Sequence, residues 1–160
     1  MKVIFLDIDG VLASFDYIRV THLLKEKNPD KYGYGFDPRC IKNLEFILRE
    51  HPDAKIVIAS SWKSMGYVNI LDMWVVRNFP GEVIGMTPDL LRTAKSSSRG
   101  AEIEEWLNNS EEDIEGYVIL DDDSNVLMSQ LNHFVKTDPM FGLSVEDVWK
   151  ADRILREEKV

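Results

Sequence analysis

Short runs of consecutive apolar residues alternate along this chain with stretches of helical period. Lys2–Asp7 is the first run and ends in a carboxylate. Lys55–Ala59 is the second and ends at Ser60-Ser61. Glu82–Met86 is a weaker third, Tyr117–Leu120 a fourth that ends at Asp121-Asp122-Asp123, and Phe134–Lys136 a short fifth. The runs are β-branched and apolar throughout, with no alternation of polar residues. That pattern predicts strands buried on both faces, as in a parallel sheet covered by helices.

Helical signals fall between the runs. Asp37-Pro38 offers an N-cap with proline at the first helical position, and Ile41, Leu44, Ile47 and Leu48 recur at helical spacing. Met65–Phe79 carries Ile70, Met73, Trp74 and Phe79, and Gly100–Leu107 carries Ile103, Trp106 and Leu107. Ser144-Val145-Glu146-Asp147 reads as a capping box ahead of Val148, Ala151, Ile154 and Leu155. Helical spacing makes these aromatic and methionine side chains core residues rather than a cofactor site.

Strand–helix alternation predicts an α/β fold: a doubly wound, Rossmann-like, mostly parallel sheet with helices on both faces. The 160 residues fit one domain, 1–160, with a small flap at about 13–36. In open sheets of this kind ligands bind beyond the carboxyl ends of the strands. Three of the predicted strands end there in polar groups: Asp7 and Asp9, Ser60 and Ser61, and the Asp121–Asp123 cluster.

Composition narrows the function classes. Apolar residues make up 44% and charged residues 29%, the balance of a globular domain. The formal net charge of −9 argues against non-specific nucleic-acid binding, which rests on basic charge. The charge is uneven: residues 101–125 hold ten acidic side chains and no Lys or Arg, whereas residues 11–65 hold nine basic and seven acidic. The single cysteine, Cys40, excludes an internal disulfide and reads as a plain helix residue. No run of eighteen apolar residues crosses a membrane, and Asp7 and Asp9 interrupt the apolar start too early for a signal peptide. A cytoplasmic protein is the expectation.

Asp7 and Asp9 stand two residues apart at the end of the first run, and Gly10 allows a sharp bend after them. Buried carboxylates are costly unless a cation compensates them. Asp7, Asp9 and the later Asp cluster brought together make a hard, oxygen-rich site that suits Mg²⁺.

Phe5-Leu6-Asp7-Ile8-Asp9-Gly10-Val11-Leu12 resembles the first motif of the haloacid dehalogenase (HAD) superfamily in its phosphatase form. The second motif is a Ser or Thr closing an apolar strand; Ile56–Trp62 resembles it, with Ser60 the better match and Ser61 close behind. The fourth is an acidic pair after a later strand, matched by Val118-Ile119-Leu120-Asp121-Asp122. The third is a Lys or Arg near the start of the preceding helix; Arg99 is the choice, with Lys95 and Arg92 as rivals. The Ser-Ser-Trp-Lys stretch and the later Arg-Gly to Leu-Asp-Asp-Asp stretch resemble a small branch of the superfamily, found in bacterial and phage-type proteins. Some members of that branch are linked to nucleic-acid end repair.

The resemblance implies roles. Asp7 would be the nucleophile, and Asp9 would protonate the leaving oxygen and later deprotonate water. Mg²⁺ would bridge Asp7, the backbone carbonyl of Asp9 and Asp122, with Asp121 beside them. Ser60, Ser61, the Gly10 loop and a cation, Arg99 or Lys95, would hold the phosphate oxygens. Asp9 favours phosphate-ester over carbon–halogen chemistry.

Spacing bears on the substrate. Between Gly10 and Ser60 lie 49 residues, which must also supply a helix and a strand, so little more than the flap is left for a cap. A nearly capless site suits a phosphorylated nucleic-acid end, a phosphoprotein, or a small phosphate if another subunit closes the site. The flap interleaves Arg19, Lys25, Lys27 and Lys31 with Tyr17, Tyr32, Tyr34 and Phe36, which either contact a nucleotide or form a solvated face. Gly33-Tyr34-Gly35 is expected to be mobile. The competing readings are a receiver-like signalling module and a non-catalytic HAD-fold partner. A receiver needs an acid at the end of its third strand, where Met86-Thr87-Pro88 stands here. His22, His51 and His133 lie at no zinc-ligand spacing and read as surface or packed residues.

Overall fold

A computed structural model describes residues 1–90 and 98–157. Arg92 and Lys95, two of the third-motif candidates, lie outside the described residues. Five parallel strands form one sheet: β1 Lys2–Leu6, β2 Ala54–Ile58, β3 Val83–Met86, β4 Gly116–Asp121 and β5 Phe134–Lys136. Their order is β3-β2-β1-β4-β5, the Rossmann order and not the 2-1-3-4-5 order of receiver domains. The strands lie close to the predicted runs, with β3 starting one residue later and β4 extending one residue at each end.

Among the described residues five α-helices accompany the sheet: α1 Phe15–Leu23, α2 Pro38–Glu50, α3 Tyr67–Val76, α4 Arg99–Asn109 and α5 Val145–Arg156. The caps follow the sequence signals. Asp37 accepts from the Arg39 N–H with Pro38 at the first position, and Ser144 and Asp147 form a reciprocal capping box. α1 was not foreseen, because it buries none of its residues and so carries no apolar stripe for periodicity to detect.

Alternate residues of β1 serve opposite layers. Ile4 and Leu6 join Leu44 and Ile47 of α2, Ile70 and Met73 of α3, and Ala151 and Leu155 of α5 in the larger core. Val3 and Phe5 join Val57, Ile119 and Ile103 of α4 on the other face. Phe5 meets the Trp106 and Tyr117 rings edge-on, with centroids 5.4 and 5.7 Å away. Each such pair contributes about 0.5–1.5 kcal/mol beyond burial; the Trp106 pair fixes α4 against the sheet, and the Tyr117 pair joins β1 to β4.

The amino end of α4 is set by a close backbone approach. Gly100 donates its N–H to the Asn125 carbonyl at 3.0 Å, and the Gln130 amide donates to the Gly100 carbonyl at 2.9 Å. A β-carbon on Gly100 would lie 2.7 Å from both the Leu127 nitrogen and Gln130 Oε1. Only glycine lets the helix dock here, and that docking delivers Arg99 to the carboxyl end of β4. Among the described residues no helix is long and apolar enough to cross a membrane. Cys40 is buried in α2, and burial pushes its thiol up to about 12, so it is an inert packing residue.

Candidate active site

The site lies at the carboxyl edge of β1, β2 and β4. The Asp7 N–H donates to the Leu120 carbonyl at 3.0 Å and so extends the sheet one residue past β1. Asp7 is buried, and its Oδ1 accepts from the Ile8 N–H at 2.8 Å. Asp121, the last residue of β4, is buried beside it and accepts from the Asp123 N–H at 2.9 Å. Arg99 Nη1 lies 3.4 Å from Asp7 Oδ1 and 3.0 Å from Asp121 Oδ2, and also donates to the Ala59 carbonyl. Arg99 begins α4, where the helix dipole disfavours a cation. Local helix rules are broken at this position, and the adjacent carboxylates supply the compensation.

One guanidinium does not offset two buried carboxylates. Burial pushes the Asp7 carboxyl up from 3.8 to about 6, against the pull of Arg99. Burial and the neighbouring Asp7 charge push Asp121 further, to about 8. Asp122 brings a third carboxylate, and one oxygen from each of Asp7, Asp121 and Asp122 lies within 4.8 Å of the others. Gly10 makes room for Asp122: at φ +80° it turns the chain away, and a β-carbon there would sit 2.5 Å from Asp122 Oδ2. The buried Thr137 hydroxyl donates to the Gly10 carbonyl at 2.7 Å and ties this turn to the end of β5. An all-oxygen, strongly anionic donor set fits a hard divalent cation such as Mg²⁺.

Asp9 takes different partners from Asp7. Its Oδ1 accepts from Trp62 Nε1 at 3.1 Å and from the Tyr34 hydroxyl. Burial first, and the bond to Asp9 second, push the Tyr34 phenol upward, so it remains a donor. Ser60, fully buried, caps the 3-10 turn Ser61–Met65 by accepting from the Trp62 N–H at 3.2 Å. Its O–H is a separate donor that this cap does not use. Ser61, in contrast, is exposed.

Lys63 follows in the same turn. Its ammonium lies 3.1 Å from Thr87 Oγ1, 3.3 Å from the Pro88 carbonyl and 3.4 Å from Glu102 Oε1. Burial pulls the Lys63 ammonium down, and the Glu102 charge opposes that pull.

The structure thus brings Asp7, Asp121, Asp122, Gly10 and Arg99 together. It sends the Asp9 carboxylate to Tyr34 and Trp62 rather than into the carboxylate cluster. Asp123 is exposed and offers its backbone N–H to Asp121. Of the flap residues, Arg19, Lys25, Lys27 and Lys31 are exposed. Gly33-Tyr34-Gly35, expected to be mobile, is tied by Arg77, which donates to the Gly33 and Tyr34 carbonyls and to both Asp30 carboxylate oxygens. His51 pairs with Asp152 at 2.7 Å and His133 stacks on Tyr117, so neither turns toward the site. Sequence reading missed Lys63, Glu102 and Thr137, and placed Tyr34 and Trp62 near no acid. The signal available was the polar Lys63 directly after the second motif. The pairings themselves join residues 25 to 127 positions apart, beyond any local pattern.

Among protein families, the model described as the HAD domain in Swiss Army Knife RNA repair proteins matches residues 3–148. No curated protein and no solved structure matches the chain significantly. The family match takes in β1 from Val3 onward, the other four strands and every site residue described above. With the Rossmann sheet order and acidic groups at its central strand ends, the chain belongs to the HAD superfamily, in the family of HAD domains of Swiss Army Knife RNA repair proteins.

Proposed function

We propose that the chain is a Mg²⁺-dependent phosphomonoesterase that works through an aspartyl-phosphate on Asp7 and acts on a phosphorylated nucleic-acid end. The carrying observation is the convergence of Asp7, Asp121 and Asp122 within 4.8 Å, with Arg99 ion-paired to the first two. Asp7, Asp121 and Asp122, with the Asp9 carbonyl, would hold the cation. When bound it would offset the repulsion between these carboxylates and an anionic phosphate.

Asp7 attacks phosphorus as the leaving oxygen departs with a proton from Asp9. Asp9 then takes a proton from water as water displaces Asp7, and inorganic phosphate leaves. Arg99 and the Ser60 hydroxyl stabilise charge on the equatorial oxygens. The buried Asp7 is stripped of competing water, which strengthens each of these interactions.

Three features support the nucleic-acid end. The family description names RNA repair proteins. Basic side chains of the 13–36 segment are exposed, as an incoming anion requires. The Tyr34 ring of the same segment lies beside Asp9. The test is phosphate release from 5′- and 3′-phosphorylated oligonucleotides, nucleotides and sugar phosphates, with Mg²⁺ and with EDTA, for wild type and Asp7→Asn. Turnover that needs both Mg²⁺ and Asp7 is expected. A wild type inactive across metals and pH, or an Asp7→Asn enzyme of full rate, overturns the mechanism. Turnover of sugar phosphates alone overturns the substrate class.

A further inference from the structure

Two side chains from separate parts of the chain meet one oxygen of Asp9. Trp62 reaches it from the turn after β2, and Tyr34 from the segment between α1 and α2. Both donate to Oδ1. A carboxyl oxygen that accepts two hydrogen bonds is held as the carbonyl-type oxygen, and a proton is carried by the other one.

The two donors are themselves held. Ser60 fixes the Trp62 backbone, and the Tyr34 and Phe36 rings meet the Trp62 ring edge-on at 5.1 and 5.2 Å. Phe36 stacks on Phe79 at 5.2 Å, and the Arg77 guanidinium lies 5.0 Å from the Phe36 ring. Arg77 is only 5% exposed and binds both Asp30 oxygens at 2.9 Å, along with the Gly33 and Tyr34 carbonyls. A buried guanidinium with this many acceptors sets the loop that carries Tyr34.

We propose that Tyr34 and Trp62 are positioning residues for proton transfer: they fix Asp9 through Oδ1 so that Oδ2 carries the proton to the leaving oxygen. The proposal rests on the phosphatase reading above. As the Asp7 oxygen bonds to phosphorus, the bond from phosphorus to the leaving oxygen breaks, and the Oδ2 proton moves to that oxygen. In the second half the water oxygen bonds to phosphorus and gives a proton to Oδ2 while the phosphorus–Asp7 bond breaks. A loosely held Asp9 leaves the acid present but misaligned, and misalignment weighs most where the leaving group needs a proton.

The test compares kcat/KM for p-nitrophenyl phosphate, whose phenolate departs without a proton, with kcat/KM for a phosphorylated oligonucleotide, whose alkoxide needs one. Tyr34→Phe removes only a hydroxyl, and its melting temperature is measured alongside to show that it folds. Tyr34→Phe is expected to lower the oligonucleotide value by about 10-fold or more and the p-nitrophenyl value by less than about 3-fold. Trp62→Phe should act in the same direction. In an Asp9→Asn background the Tyr34→Phe selectivity should vanish. Equal losses on both substrates, no loss on either, or selectivity that survives in Asp9→Asn overturns the positioning role while leaving the phosphatase intact. Failure of wild type on both substrates overturns the phosphatase reading itself.

Discussion

Gly10 and Asp122 share a space too small for a methyl group. A β-carbon on Gly10 would lie 2.5 Å from Asp122 Oδ2 and 2.7 Å from its Cγ, and the glycine sits at φ +80°. Gly10→Ala therefore carries two costs, a left-handed backbone of about 1–2 kcal/mol and the displacement of Asp122. Urea melts should show a loss of at least about 1 kcal/mol. The variant should also need more Mg²⁺ for half-maximal activity. A fully stable Gly10→Ala with unchanged Mg²⁺ dependence would place Asp122 outside the metal site.

The carboxylate cluster makes metal binding visible without turnover. A cation held only by the folded state stabilises it by about 2.7 kcal/mol at 100 times Kd, or roughly 5–10 °C for a chain of this size. Melting curves of the wild type should rise by that order with Mg²⁺ and return with EDTA. Asp122→Asn should lose most of the shift, because it removes one of the three clustered oxygen donors. Asp123→Asn should keep it, because that side chain is exposed and only its N–H is used. The reverse ranking would move the metal to Asp123.

The strands and the Asp7 and Asp121 ends of β1 and β4 were legible because buried parallel strands leave continuous apolar runs and their polar tips stand out. The α2 and α5 caps were legible because Asp37-Pro38 and the Ser144 to Asp147 pair are local signals. The Tyr34–Asp9 and Thr137–Gly10 contacts were not, since each depends on where two distant loops meet. Arg99 was one of three cations near one helix start, and composition cannot separate them. What distinguishes it is Gly100, whose lack of a side chain docks α4 against residues 125–130.

The Arg77 anchor should show in the pH dependence of stability. Hydrogen bonds from Arg77 hold the Asp30 carboxyl below its ordinary 3.8. A carboxyl whose folded value is depressed binds protons less tightly folded than unfolded. Its contribution is therefore complete above the ordinary value and is lost as pH falls through 3.8 and the lower folded value. The stability gap between wild type and Asp30→Asn should be larger at pH 7 than at pH 3. Urea melts at the two pH values check this, and a gap that does not change with pH excludes the charged pair as its source.

Arg99 is placed to act on both sides of the reaction. Ion-paired with Asp7 and Asp121, it is the cation nearest the nucleophile among the described residues. Arg99→Met should lower kcat/KM about 100–1000-fold, the usual cost of removing one electrostatic stabiliser. Arg99→Lys should recover part of that loss, since a point charge remains but the guanidinium whose Nη1 meets both carboxylates does not. Inhibition by inorganic phosphate should weaken in parallel, because the same charge meets the product. Lys95→Met and Arg92→Met are the controls. Either one costing more than Arg99→Met would transfer the phosphate-holding role to it and leave Arg99 as a partner of the carboxylates alone.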